Sequence, residues 1–185
     1  MIRRAELAKA LKIYKFMEDD FASSEIPDYA RYEKMTKENI HQVYLYEENE
    51  KDIAYFITLE KEGKVLITHL AVIKEYRGNG AGRRFLEAIK TFLADKDLII
   101  VEVESERMAK NEQELDIIQK RLRYYLKAGF KKCEGMEYNL FNVDYDILIY
   151  GKAKEKMSNI EVKKTIEKLY DGLFPSKSLS IKIDF

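Results

Sequence analysis

One stretch constrains the fold more than any other. Val65-Leu66-Ile67-Thr68-His69-Leu70-Ala71-Val72 is an apolar, β-rich run, and Ile73-Lys74-Glu75-Tyr76 separates it from Arg77-Gly78-Asn79-Gly80-Ala81-Gly82. Beyond the glycines, Phe85, Leu86, Ile89, Phe92 and Leu93 mark one helical face. The order is therefore strand, glycine loop, helix. Three of the chain's 8 glycines fall at positions 78–82. Glycine loses more backbone entropy on folding than any other residue, so such a cluster marks a backbone that bends tightly or closely approaches a ligand. A glycine loop at a helix N-terminus presents free N–H groups and the positive end of the helix dipole, which suits phosphate.

The rest of the chain places this unit. Leu7, Leu11, Tyr14, Met17 and Phe21 predict a helix over 5–21, and a second is expected over about 28–40, after Pro27. Met1–Arg4 reads either as a very short strand or as a disordered start. Residues 43–46, 53–60 and 65–72 read as three strands joined by short charged turns, which favours an antiparallel meander. Leu98-Ile99-Ile100-Val101 is continuously apolar, as in a strand buried on both faces. Strand 65–72, helix 82–94 and strand 97–104 thus form a β-α-β unit with parallel strands. A polar loop at 105–114 precedes a helical stripe at Leu115, Ile118, Leu122 and Leu126, closed by Gly129. Tyr125 sits on the flank of that stripe and Tyr124 points away. Segments 130–133 and 140–150 read as two closing strands. Ser158 and Glu161 fit a capping box for a helix that ends at Gly172 and Pro175, and 179–183 alternates as a short strand. The division expected is a domain over 1–152 and a C-terminal helical extension over 153–185, packed on the domain or on a partner subunit, as in a homodimer.

Composition narrows the function classes. Lys+Arg and Asp+Glu are both 33, so the chain lacks the basic excess of a general nucleic-acid binder. Cys133 is the only cysteine, which rules out an intramolecular disulfide; it reads as a small core residue, and no metal site is expected. Neither a signal peptide nor a long apolar run is visible, so no membrane partner is expected and the simplest location is the cytoplasm.

Three phosphate ligands compete for the loop. A Walker loop needs Gly-Lys-Ser/Thr, but Gly82 is followed by Arg83 and Arg84. A dinucleotide fold needs G-x-G-x-x-G directly after its strand, whereas the glycines here stand at 78, 80 and 82 after a five-residue break, 73–77. The third fits. Arg77-Gly78-Asn79-Gly80-Ala81-Gly82, with Leu70-Ala71-Val72 upstream and Tyr125…Gly129-Phe130 downstream, resembles the coenzyme A loop and its setting in GNAT N-acetyltransferases. The resemblance covers about residues 40–150, and the run 119–125 before Gly129-Phe130 resembles a bacterial subgroup of unassigned substrate. Two positions depart from the family pattern: Ile118 stands where many members carry Asn, and Arg121 where Ala is common.

The resemblance implies an α/β (α+β) fold with a mixed, mostly antiparallel central sheet, a central parallel pair and helices on both faces. It implies acetyl-CoA as cofactor and a small-molecule or peptide amine as substrate. The N–H groups of about Asn79 to Arg83, and so the segment Arg77, Gly78, Asn79, Gly80, Ala81, Gly82 and Arg83, would hold the pyrophosphate. Arg77 and Arg83 would supply charge, and Arg84 less so. Leu70, Ala71 and Val72 would pair with the pantetheine arm, an N–H near Leu70 facing the thioester oxygen. Tyr125 would protonate or hydrogen-bond the leaving thiolate. Glu104 and then Glu102 are candidate bases at the end of their strand, with His69 or water as alternatives. His69 is more readily a packed or hydrogen-bonded residue, and His41 a surface one. The expected function is direct acetyl transfer to an amine. The alternative is a non-catalytic acyl-CoA-binding regulatory module. Tyr29, Tyr32, Tyr44 and Tyr46 could line an acceptor wall or fill the core.

Overall fold

The computed structural model describes residues 1–173 and 179–183. The chain divides into two compact units, residues 1–60 with 67–93 and residues 61–66 with 94–185.

The first unit carries β1 (Ile2–Arg4), α1 (Leu7–Asp20), α2 (Tyr29–Lys37), β2 (Gln42–Glu48), β3 (Lys51–Lys61), most of β4 (Lys64–Val72) and α3 (Ala81–Phe92). The start of the chain is ordered: β1 pairs antiparallel with β2, Arg3 opposite Leu45. β2 pairs antiparallel with β3 through a two-residue turn, Asn49-Glu50, in which both residues have positive φ, as a tight hairpin requires. Alternation along these strands separates two packing faces. Val43, Leu45, Tyr55 and Ile57 pack with Ala10, Ile13 and Met17 of α1 and Tyr32 of α2. On the other face, Phe56 stacks on Tyr44 and meets Phe85 and Phe92 of α3 edge-on. Helices therefore cover both faces of β2–β3. Tyr32, Tyr44 and Tyr46 are core residues.

The second unit holds the first residues of β4, then β5 (Leu98–Glu104), α4 (Glu112–Lys127), β6 (Lys131–Lys132), β7 (Met136–Leu140), β8 (Val143–Tyr150), α5 (Asn159–Tyr170) and β9 (Leu179–Ile183). The Asp97 N–H donates to Gly63 O at 2.9 Å where β4 begins beside β5. β5 pairs antiparallel with β8, Val101 opposite Leu148. The strand order is β1-β2-β3-β4-β5-β8-β7-β9, with β6 on β8. The sheet is thus mixed and mostly antiparallel, with β4 and β5 as its parallel pair, as the sequence predicts.

Several local expectations change. Segment 140–150 is not one strand. Phe141 and Asn142 both adopt positive φ and turn the chain between β7 and β8. An exposed Phe is a poor turn signal, which hides this hairpin in the sequence. α4 starts earlier than the polar run suggests because Asn111 caps it, accepting from Glu114 N at 2.9 Å. Its buried stripe is Ile118 and Tyr125, while Leu126 is exposed. The capping box of α5 forms as read, and Tyr170 is the helix's last residue. Pro175 lies outside the described residues. β9 pairs antiparallel with β7, Tyr138 opposite Ile181. No helix among the described residues is long and apolar enough to cross a membrane.

Gly151 links β8 to the chain before β5. It has φ +117°, and a Cβ there would stand 2.7 Å from the Asp97 carbonyl oxygen. Both backbone conformation and space therefore oppose a side chain. Gly151→Ala is expected to destabilise the fold by roughly 2–3 kcal/mol in denaturant unfolding. A midpoint equal to wild type would contradict the strain argument.

Candidate functional site

The glycine loop takes an unusual backbone path. Gly78, Asn79 and Gly80 have φ of +95°, +46° and +73° in succession. Only Gly adopts this region without a Cβ penalty, and Asn is among the few residues that tolerate it. Gly80 is also the N-cap of α3. The turn closes through Ala81 N to Gly78 O at 3.0 Å and Arg84 N to Gly80 O at 3.1 Å. The N–H groups of Gly78, Asn79 and Gly80 donate to no acceptor among the described residues. Consecutive free N–H groups at a helix start form a concave donor set suited to an anion. The residues present therefore fit the pyrophosphate of coenzyme A.

Charge around the loop is organised differently from expectation. Arg77 is exposed, but its guanidinium is engaged. Nε donates to Val72 O at 2.9 Å, and the other end of the fork forms an ion pair with Asp20 at the end of α1. The Asp20 carboxylate also accepts from Tyr55 Oη at 2.9 Å. Arg84 is equally engaged: it binds both oxygens of Glu48 at 2.8 Å and donates to Asn79 O at 2.7 Å. This bidentate pair and the Tyr46 hydroxyl hold the Glu48 carboxyl down at about 2. Arg83 is exposed and has no partner among the described residues. Asp20 and Glu48 escape sequence reading because neither lies near the loop in the chain.

The candidate proton-transfer groups lie in the second unit. Tyr125 is buried on α4, edge-on to Phe130 with centroids 5.4 Å apart. Burial raises its phenol to about 12, slightly offset by the Arg121 charge. Its hydroxyl makes no hydrogen bond among the described residues. The two candidate carboxylates differ. Glu104 is half-buried at the end of β5, opposite Tyr145. Glu102 accepts hydrogen bonds from Tyr138 of β7 and from Tyr170 of α5, the latter at 2.8 and 3.0 Å. Desolvation outweighs these bonds and lifts the Glu102 carboxyl to about 7. Neither phenol was legible as a partner, since both come from elements far along the chain.

The remaining titratable candidates are hydrogen-bonded or buried within the fold. His69 bridges Thr68 Oγ1 at 3.1 Å and the Glu25 carbonyl at 3.0 Å, and its ring meets Phe21 edge-on. Burial lowers its pKa, which agrees with the packed reading. His41 corrects the expectation of a surface residue. It is buried, pairs with Thr36 Oγ1 at 2.8 Å, and burial lowers it to about 4. Cys133 is a buried thiol pushed up to about 11, as a small core residue should be.

The family model for the GNAT acetyltransferase domain matches residues 39–132. No curated protein matches the chain. Among solved structures, a GNAT-family protein from Bacteroides thetaiotaomicron superposes with a TM-score of 0.76 at 19% identity, covering 94% of this chain and 98% of that one. The ribosomal-protein-S18-alanine N-acetyltransferase of Escherichia coli gives 0.54 at 20% identity, covering 80% and 90%. The dodecameric spermidine N-acetyltransferase of Vibrio cholerae gives 0.58 at 16% identity, covering 84% and 95%. At these identities the likeness shows the fold.

The left-handed cap is directly testable. A Cβ on Gly80 would meet only Arg84 Nη1 at 3.7 Å, so conformation and not space sets the cost. Gly80→Ala is expected to cost roughly 1–2 kcal/mol of loop conformation. That corresponds to about tenfold weaker coenzyme A binding in calorimetry. Unchanged affinity would show that the φ +73° cap is not needed for the ligand.

Proposed function

The chain belongs to the GNAT acetyltransferase family, and we propose that it moves an acetyl group from acetyl-CoA to a primary amine by direct transfer. The observation that carries this reading is the left-handed run Gly78–Gly80, with its free N–H groups, inside the segment the family model matches.

Each residue's part follows from its chemistry. The N–H groups of the loop and the first turn of α3 hold the pyrophosphate, with Arg83 as the cation left available for it. Leu70 and Ala71, near the end of β4, are proposed to pair through their backbone with the pantetheine arm. Val72 is proposed with them: its carbonyl accepts from Arg77 and keeps a second lone pair, and its N–H remains a donor. An N–H near Leu70 stabilises negative charge on the thioester oxygen as the amine attacks. Tyr125, with a phenol near 12, keeps its proton at neutral pH and donates it to the departing thiolate.

For the base, the raised carboxyl of Glu102, held by two phenols, is our reason to put it beside and ahead of Glu104. A carboxyl near 7, held by two phenols, is half-ionised at neutral pH and is still basic enough to take a proton from an ammonium, directly or through water. The named neighbours act on spermidine and on a ribosomal-protein alanine, both of which present amines. They support an amine acceptor, small molecule or peptide, without selecting one. The dodecameric V. cholerae enzyme is consistent with self-association of this chain. The chain's lack of a basic excess supports a reading without a nucleic-acid partner.

A panel of amines assayed for thiol release from acetyl-CoA tests the reading. Turnover on at least one amine is expected, and Tyr125→Phe should lower kcat roughly 10²-fold. Coenzyme A binding without turnover on any amine, and no effect of Tyr125→Phe, would favour a regulatory module instead. The pH profile separates the carboxylates. A base must be ionised to act, so kcat/KM should rise with pH through about 7 and level off above it. Glu102→Gln should abolish that limb, and Glu104→Gln should leave it. A limb that survives Glu102→Gln would assign the base elsewhere.

A further inference from the structure

The coenzyme A loop owes its shape to two carboxylates outside it. The geometry points to Asp20 and Glu48 as positioning residues, which act through Arg77 and Arg84 to hold the loop in its binding conformation. This rests on the reading of Arg77–Gly82 as the coenzyme A loop.

Asp20 ends α1, where an anion faces the negative end of the helix dipole and no basic residue stands in the last turn. Helix stability therefore does not explain it. Its side chain is only 4% exposed and is matched by Arg77 and the Tyr55 hydroxyl. Arg77 in turn holds the Val72 carbonyl. One guanidinium thus ties the end of β4 and the end of α1 to the first residue of the loop. Residues 73–77, which separate strand from loop, are closed into a fixed corner.

Glu48 does the same from the other side. It ends β2, takes both forks of Arg84, and is itself oriented by Tyr46. With its orientation fixed, Arg84 holds the carbonyl of Asn79. Asn79 is the middle residue of the left-handed run, and the only one of the three with a Cβ. The two arginine–carboxylate pairs brace the run at its entry and at its centre, and each carboxylate carries a tyrosine hydroxyl as a second anchor. Both arginines are neutralised in the process. They shape the donor set and contribute little net charge to it.

Electrostatics alone and positioning give opposite signs. Removing a carboxylate near a diphosphate frees an arginine and lowers local negative charge, so a purely electrostatic account has Asp20→Asn and Glu48→Gln bind coenzyme A more tightly. The positioning account has them bind it more weakly, because an unpaired arginine no longer holds Val72 O or Asn79 O.

Calorimetry with coenzyme A, on folded full-length variants, decides between them. Asp20→Asn and Glu48→Gln are each expected to raise Kd fivefold or more. The KM for acetyl-CoA should rise in parallel while kcat at saturation stays within twofold. Glu48→Asp keeps the charge but shortens the reach to Arg84, and it too should weaken binding. Amide exchange across residues 77–84 of the ligand-free chain should quicken in all three. Unchanged or tighter binding in the variants, with wild type binding normally, overturns the inference alone. A fall in kcat at constant KM also overturns it, since the loss would then lie at the reacting centre. Failure of wild type to bind coenzyme A overturns the loop assignment as well.

Discussion

Three consecutive left-handed residues at the start of α3 are the constraint on which the candidate site depends. A backbone at positive φ through Gly78, Asn79 and Gly80 turns successive N–H groups away from helical partners. That arrangement is costly in a free chain, because glycine is flexible and Asn79 pays a Cβ penalty. Something else in the fold must hold it. The structure supplies Arg77 on Val72 O and Arg84 on Asn79 O, and each arginine is fixed by a carboxylate from another element. Sequence-local glycines permit the turn; long-range ion pairs select it.

The second unit supplies a different kind of chemistry. Glu102 is a carboxylate on a buried strand, and among the described residues no cation pairs with it. Two phenols answer it, one from β7 and one from the last residue of α5. Phenol hydrogen bonds stabilise the ionised form less than a guanidinium would, and desolvation prevails. The contrast with Glu48, held at about 2 by Arg84, shows how the same side chain becomes a permanent anion in one setting and a titrating group in another. It also ties the C-terminal helix to the strand that carries the candidate base. Tyr170 thereby joins α5 to Glu102 as well as to the core.

Much of this was legible in the sequence, and what was not has physical causes. The loop, the β-α-β unit, the antiparallel meander, the capping box at Ser158 and the C′ glycine at Gly129 are local patterns, and local patterns survive in a sequence. The hairpin at Phe141-Asn142 was missed because its first residue carries no turn chemistry. His41 was misplaced because burial depends on what α2 and β2 bring around it. The pattern Leu115, Ile118, Leu122 and Leu126 puts Tyr125 on its flank, whereas the observed buried face includes Tyr125 and releases Leu126. Asp20, Glu48, Tyr138 and Tyr170 could not be found at all. Their roles rest on contacts between residues 36 to 68 positions apart, which no periodicity records.

On the proposed function, the left-handed loop takes the pyrophosphate of coenzyme A and not that of a dinucleotide. Both ligands carry a pyrophosphate, so the comparison isolates the setting of the loop. Calorimetric titration of the wild-type chain with coenzyme A and, separately, with NAD tests it most directly. Saturable binding of coenzyme A with no heat from NAD is expected. Binding of NAD, or of neither ligand, would contradict it.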